Sequence, residues 1–197
     1  MNIYLVRHGQ SEGNRRMLLF GRTDYDLTPL GIEQAQICAE KLKDAHFDVC
    51  FSSPLIRALH TAEICTAGRD VPIVCDDGLC EQDMGDFENM DFGEAMKNEP
   101  EKLGALMRDW SSYAPPGGES FYEMFERVKA CCDRIVSDGR DCLVVAHNGS
   151  LSMMTAYLLG AGVKCVESFY HQHGCYSQLQ IGGHFDEKRN TLICFNK

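Results

Sequence analysis

Strands that alternate with helices along the chain predict an α/β protein, a three-layer α/β/α arrangement around a mainly parallel central sheet. Two observations carry that prediction. The first is a set of short apolar runs, at residues 2–6, 48–51, 71–75 and 142–146, each running into polar, glycine or proline residues. The second is the helical spacing of apolar residues in the stretches between them. No repeat, low-complexity tract or linker interrupts the 197 residues, so one domain over residues 1–197 is expected.

Residues 2–6 lead into Arg7-His8-Gly9, the pattern of a buried strand meeting a loop. Thr28-Pro29 offers a cap and a first-turn proline to a helix with Ile32, Ala35, Ala39 and Leu42 at helical spacing. After the strand at 48–51, Ser53-Pro54 opens a helix with Leu55, Ala58, Leu59, Ala62 and Cys65 on one face. The strand at 71–75 runs into an acidic loop over residues 76–93. Residues 94–110 read as helical with breaks at Pro100 and Gly104, and Pro115-Pro116-Gly117-Gly118 reads as loop. Residues 119–136 are a long amphipathic stretch. The most apolar strand, 142–146, precedes a helix over 149–159 with Met153-Met154 in its core. Residues 176–181 and 191–195 form late strands around Gly182-Gly183.

A net charge of −10 argues against nucleic acid or an anionic membrane surface as a partner. No apolar run approaches the ~20 residues of a membrane span, and the first strand begins too early to leave room for a leader peptide, so a cytoplasmic location is expected. The eleven cysteines, several inside strand or helix patterns, read as reduced thiols. None is spaced Cys-x-x-Cys, so no zinc site is expected.

In open α/β sheets, ligands bind at the carboxyl ends of the strands. Arg7, His8 and Asn14 follow the first strand, Arg57 lies just past the second, and His147-Asn148-Gly149 follows the fourth. Two arginine forks and the Asn14 amide match the oxygens of a phosphate, and the Gly9 and Gly149 N–H groups are expected to add anion donors. A neutral His8 imidazole can attack phosphorus if its remote nitrogen carries the proton and is held by a carbonyl. The leaving oxygen then needs a proton. The acidic loop offers Asp76, Asp77, Glu81, Asp83, Asp86 and Glu88, of which Glu81 is preferred although spacing does not separate it from Asp83. Such a transfer rests on positioning and charge, and requires no metal or other cofactor.

Three features stay open at this level. Gly21 and Arg22 either reach over the pocket to the ligand, or Arg22 is a surface cation. His171 and His173 have the spacing of a metal pair on a strand, but no carboxylate or cysteine set joins them, which favours a structural role. Trp110 and Tyr113 either line a lid or pack a helix edge.

These motifs together resemble the histidine phosphatase superfamily, also called the phosphoglycerate mutase-like family. Leu5-Val6-Arg7-His8-Gly9-Gln10-Ser11-Glu12-Gly13-Asn14 is similar to its signature, and the segment from Asp26 to Ala35 to the approach to its first long helix. The stretch from Ser52 to Ala62 resembles its second arginine element, Leu79-Cys80-Glu81 its acid loop, Gly118-Glu119-Ser120 a later helix start, and Ala146-His147-Asn148-Gly149 its second histidine. The matches run in the family's order over residues 1–160. The resemblance implies a phosphohistidine at His8, a group held by Arg7, Arg57, His147 and Asn14 with Asn148 and Gly21 nearby, and Glu81 as acid and then base. Many relatives carry a glycine after the glutamate where this chain has Asn89. The chain is compact, and between Glu81 and Gly117 its only basic residues are Lys97, Lys102 and Arg108. This favours hydrolysis over mutase transfer. The expected partner is a small phosphorylated metabolite, with inorganic phosphate as product.

Overall fold

The computed structural model describes residues 1–109, 111–182 and 189–197. Trp110 and Gly183 lie outside the described residues. In chain order the described strands are β1 (Asn2–Arg7), β2 (Leu18–Leu19), β3 (Val49–Ser52), β4 (Ile73–Cys75), β5 (Met90–Asp91), β6 (Cys142–Ala146), β7 (Tyr176–Gln180) and β8 (Thr191–Cys194). The described helices are α1 (Glu12–Arg15), α2 (Pro29–Lys41), α3 (Ile56–Thr66), α4 (Phe92–Asn98), α5 (Pro100–Arg108), α6 (Phe121–Asp138) and α7 (Asn148–Leu158).

Six strands form one sheet in the order β4-β3-β6-β1-β7-β8, and β2 pairs with β5 apart from it. β4, β3, β6 and β1 are mutually parallel, while β7 runs antiparallel to β1 and β8 antiparallel to β7. The fold is therefore α/β with a mixed, mainly parallel sheet.

Strand alternation divides the core in two. Ile3, Leu5, Val49, Phe51, Cys142 and Val144 face one side, against Met124, Val128, Cys131 and Ile135 of α6 and Leu151, Met153 and Met154 of α7. Tyr4, Val6, Cys50, Leu143 and Val145 face the other, against Cys38 and Leu42 from α2 and its end and Ala58, Ala62 and Cys65 of α3. β6 is buried at every position because parallel neighbours cover both its edges and helices both its faces. A third, smaller cluster of Phe87, Ala95 and Leu103 holds the 84–106 segment together.

Three local expectations differ from the structure. The inward face of α2 is Gly31, Ala35 and Cys38, with Ile32 exposed; small residues let the helix lie against the loop after β1, where a Cβ on Gly31 would stand 2.1 Å from the Gln10 carbonyl oxygen. α3 begins at Ile56 rather than at Ser53-Pro54, because the Ser53 hydroxyl accepts the Leu55 N–H and also meets His147. Pro100 separates α4 from α5 as expected, but α5 runs unbroken through Gly104. α6 starts at the Ser120–Glu123 capping box, an arrangement worth about 1 kcal/mol. All eleven cysteines are free, seven of them buried: Cys38, Cys50, Cys65, Cys80, Cys131, Cys132 and Cys142. Among the described residues no helix is long and apolar enough to cross a membrane.

Candidate active site

β6 lies between β1 and β3, and all three point the same way, so their carboxyl ends emerge together. The ladders continue one step past the strands: the His8 N–H donates to the Ala146 carbonyl at 3.0 Å and the Ser53 N–H to the Val145 carbonyl at 3.0 Å. His8, His147 and Ser53 consequently leave adjacent strands side by side. The imidazoles of His8 and His147 stand edge to face with centroids 5.0 Å apart, close enough to face one small anion.

His8 is buried, and its Nδ1 lies 2.6 Å from the Gly9 carbonyl oxygen. A carbonyl only accepts, which assigns the proton to Nδ1 and leaves the lone pair on Nε2. Burial first, and then the charges of Arg57 and Arg7, hold this imidazole well below its ordinary pKa, so it is neutral near pH 7. The Arg57 Nε–H donates to His147 Nδ1 at 3.2 Å, which leaves His147 Nε2 to donate to the Ser53 hydroxyl at 2.9 Å. Burial and the charge of Arg57 likewise hold His147 well below its usual range.

Arg57 itself is buried, and burial lowers its pKa while Glu81, Asp24 and Glu88 oppose the shift. It donates to the Thr23 carbonyl at 2.9 Å and the Gly21 carbonyl at 2.7 Å, and lies over the Phe20 ring. Arg7 donates to the Tyr170 hydroxyl and the His171 carbonyl, each at 3.0 Å, and its Nε–H is buried without an acceptor. The Asn14 side-chain oxygen accepts from the Ser11 N–H and hydroxyl, each at 3.0 Å, leaving its NH₂ to donate elsewhere. Glu81 accepts the Gly149 N–H at 3.0 Å and the Gln82 N–H at 3.1 Å. Only glycine permits that approach at the start of α7, since a Cβ on Gly149 would sit 2.2 Å from a Glu81 oxygen.

Arg7, His8, Asn14, Arg57, Glu81, His147 and Asn148 line one cavity of about 300 Å³. Two rival acids are committed to structure. Asp76 accepts from Arg134 and the Gly78 N–H, and Asp83 caps the Gly85 N–H.

Part of the expected site is corrected. The Gly9 N–H donates to the Thr61 hydroxyl at 3.1 Å and the Gly149 N–H to Glu81, so neither is free for an anion. Gly21 does not line the cavity; its N–H goes to Glu88 and its carbonyl to Arg57. Arg22 stands one layer back, 3.5 Å from Glu119, with a buried Nε–H that has no acceptor. His171 and His173 need no such correction, since both rings stand in hydrogen bonds to protein groups, in line with the structural role favoured over a metal pair. The His171 ring meets the Thr155 and Ser177 hydroxyls in the core, while His173 Nδ1 binds the His8 carbonyl. Burial, with Arg7, pushes His171 down to about 3 and His173 down to about 4. Among the described residues no group of three or more His, Cys, Asp or Glu side chains could hold a metal ion.

Two organising residues escape a reading of the sequence. The Glu88 carboxylate accepts the N–H groups of Gly21, Arg22, Thr23 and Met84 and the Thr23 hydroxyl, fastening the segment that grips Arg57. Burial alone would raise its pKa, but the Thr23 hydroxyl and the backbone donors outweigh burial and lower it. Arg127 donates to the carbonyls of Gly78, at 3.0 Å, and Cys80, at 3.1 Å, and pairs with Glu119 at 2.6 Å, clamping the chain ahead of Glu81. Its one signal in the sequence is an arginine set three residues after Met124 and four before Cys131, on the otherwise apolar face of α6.

Comparisons with known proteins match nearly the whole chain. The family described as "Histidine phosphatase superfamily (branch 1)" matches residues 3–196. The adenosylcobalamin/alpha-ribazole phosphatase of Escherichia coli K12 is 33% identical over 94% of this chain and 92% of its own length. A 2,3-bisphosphoglycerate-dependent phosphoglycerate mutase of Cytophaga hutchinsonii is 36% identical over 79% of this chain and 76% of its own length. The crystal structure of the alpha-ribazole phosphatase from Shigella flexneri superposes with a TM-score of 0.94 at 32% identity, covering 100% of this chain and 96% of that one.

Proposed function

Because this chain belongs to the histidine phosphatase superfamily (branch 1) and is a phosphatase of that family, we propose that it hydrolyses a small phosphomonoester in two steps, through a phosphohistidine on His8 and without a metal ion. His8 Nε2 attacks phosphorus, the bond to the ester oxygen breaks, and that oxygen takes a proton from Glu81. Water then attacks the phosphohistidine, Glu81 takes its proton, and inorganic phosphate leaves with His8 restored. Arg7, Arg57 and Asn14 hold the transferring oxygens together with His147, whose Nε2–H passes from the Ser53 hydroxyl to a phosphate oxygen when substrate enters, and their charge and fixed geometry supply most of the catalysis of so loose a transition state.

The single observation that carries this reading is the buried, neutral His8, its proton tied to the Gly9 carbonyl, in a cavity where the Arg7 Nε–H has no acceptor. A buried donor without a partner costs free energy that an entering phosphate oxygen recovers. The test is a rapid quench with a labelled aryl phosphate. Acid-labile label on His8, absent in His8→Ala and unaffected by chelators, supports the scheme; full turnover in His8→Ala sinks it.

The names of the relatives make alpha-ribazole phosphate the first substrate to try in a screen of phosphorylated metabolites. The likeness to a phosphoglycerate mutase supports a second reading, transfer between two positions of a phosphoglycerate. Phosphorus NMR separates the two: hydrolysis gives inorganic phosphate faster than any isomer.

A further inference from the structure

We propose that a second cavity, beside the phosphate pocket, is the subsite for a flat aromatic ring in the leaving group. This rests on the catalytic reading above. The cavity measures about 170 Å³, and Phe121, Val166, Phe169 and Tyr170 form its apolar walls, with Asn148 and Gly149 at the catalytic end. Asn148 lines both cavities. The Gly149 N–H holds the Glu81 carboxylate, and the Arg7 guanidinium lies over the Tyr170 ring at 5.3 Å. A leaving oxygen that meets Glu81 therefore carries its organic part toward Gly149 and Asn148, where this cavity opens.

The chemistry of the walls selects the ring. Three aromatic side chains and a valine offer flat apolar contact. Several of the polar atoms among them are already committed: the Ser152 hydroxyl lies within hydrogen-bond reach of the Asn148 and Phe169 carbonyls and gives its one proton between them, the Asn148 side-chain oxygen accepts the His171 N–H, and the Gly149 N–H serves Glu81. Against the Phe121, Val166 and Phe169 walls a sugar or carboxylate would find few partners for its hydrogen-bonding groups, whereas an aromatic ring needs none. The exposed Glu167 carboxylate at the rim is placed to accept from an N–H or hydroxyl carried by such a group.

The test compares 1-naphthyl phosphate with glycerol 3-phosphate in the native enzyme and in Phe169→Leu and Phe121→Leu. Each variant keeps an apolar side chain of similar size and is first checked by thermal unfolding. The ratio of kcat/KM for the naphthyl ester to that for the glycerol ester should fall ~10-fold in each variant, the scale expected when one aromatic wall of a specificity pocket is replaced. Free 1-naphthol should inhibit the native enzyme competitively, and the variants more weakly. An unchanged ratio in a variant with native melting behaviour, or no competitive inhibition by naphthol, overturns the subsite and leaves the phosphatase reading intact. Turnover of both esters by His8→Ala overturns the catalytic reading, and the subsite with it.

Discussion

Arg7, His8 and His147 leave the ends of neighbouring parallel strands, whereas Glu81 and the backbone that grips Arg57 come from loops fastened by a few side chains. On the strand side, position is set by main-chain ladders continuing to His8 and Ser53, so the geometry is shared among many bonds. On the loop side it depends on Glu88, Arg127 and Glu119, each holding several otherwise unpaired backbone groups or partners. Arg57 joins the two, donating to His147 on one side and to Gly21 and Thr23 on the other. The lesson is that a strand-borne residue should matter for its own chemistry, while the loop side contains residues that matter without touching substrate.

The strongest way to break that contrast is His8→Ala, which should lower kcat by ~10⁴-fold or more while the protein keeps its fold, as for loss of an enzymic nucleophile. Residual turnover within tenfold of the native enzyme, with circular dichroism unchanged, removes the strand side from the chemistry. Next comes Glu81→Gln. It should cost ~10²–10³-fold in kcat for an alkyl phosphate and under ~10-fold for p-nitrophenyl phosphate, whose leaving group needs no proton. Equal losses on both esters would deny Glu81 its proton-donor role.

Glu88→Gln should act through structure. With several backbone donors left poorly matched, kcat/KM should drop about 10-fold and the melting temperature by about 3–6 °C, since each such donor is worth on the order of 1 kcal/mol. A variant that loses activity but keeps its melting temperature would place Glu88 at the substrate instead. The last prediction concerns the pH dependence of stability rather than activity. His171 and His173 sit in the fold near 3 and 4, below the 6.5 of an exposed imidazole. Above about 6.5 they are neutral folded or unfolded, and stability is full. As pH falls below that, the unfolded chain takes up protons the fold excludes, and stability declines by up to ~1.4 kcal/mol per pH unit per histidine. Denaturant midpoints from pH 7.5 to 5 should show the decline, and His173→Gln should flatten it; an identical slope in that variant would mean His173 does not contribute.

Much of the strand side is legible in the sequence because its signals are local. The apolar run at Asn2–Arg7 and the most apolar run at Cys142–Ala146 announce buried parallel strands, and a histidine directly after each must emerge at the ligand end of the sheet. Glu81 is only preferred at that level, since no spacing rule distinguishes acids within a loop, and what separates it from Asp83 is the Gly149 N–H, 68 residues away. Gly9 and Gly149 mislead for the same reason. Their N–H groups look free for a ligand because the partners that take them, Thr61 and Glu81, arrive from other elements.

By itself, the sequence determined the alternation of strands and helices, the chain positions of the two histidines and two arginines, and the family they resemble, because hydrophobic period and strand-end placement are properties of neighbouring residues. Tertiary structure alone decided which acid shares a cavity with His8, that the Gly9 and Gly149 N–H groups are already taken, and that Glu88 and Arg127 hold the loops in place. Those outcomes depend on hydrogen bonds closed across tens of residues of chain, and a polar group's partner is written nowhere near it.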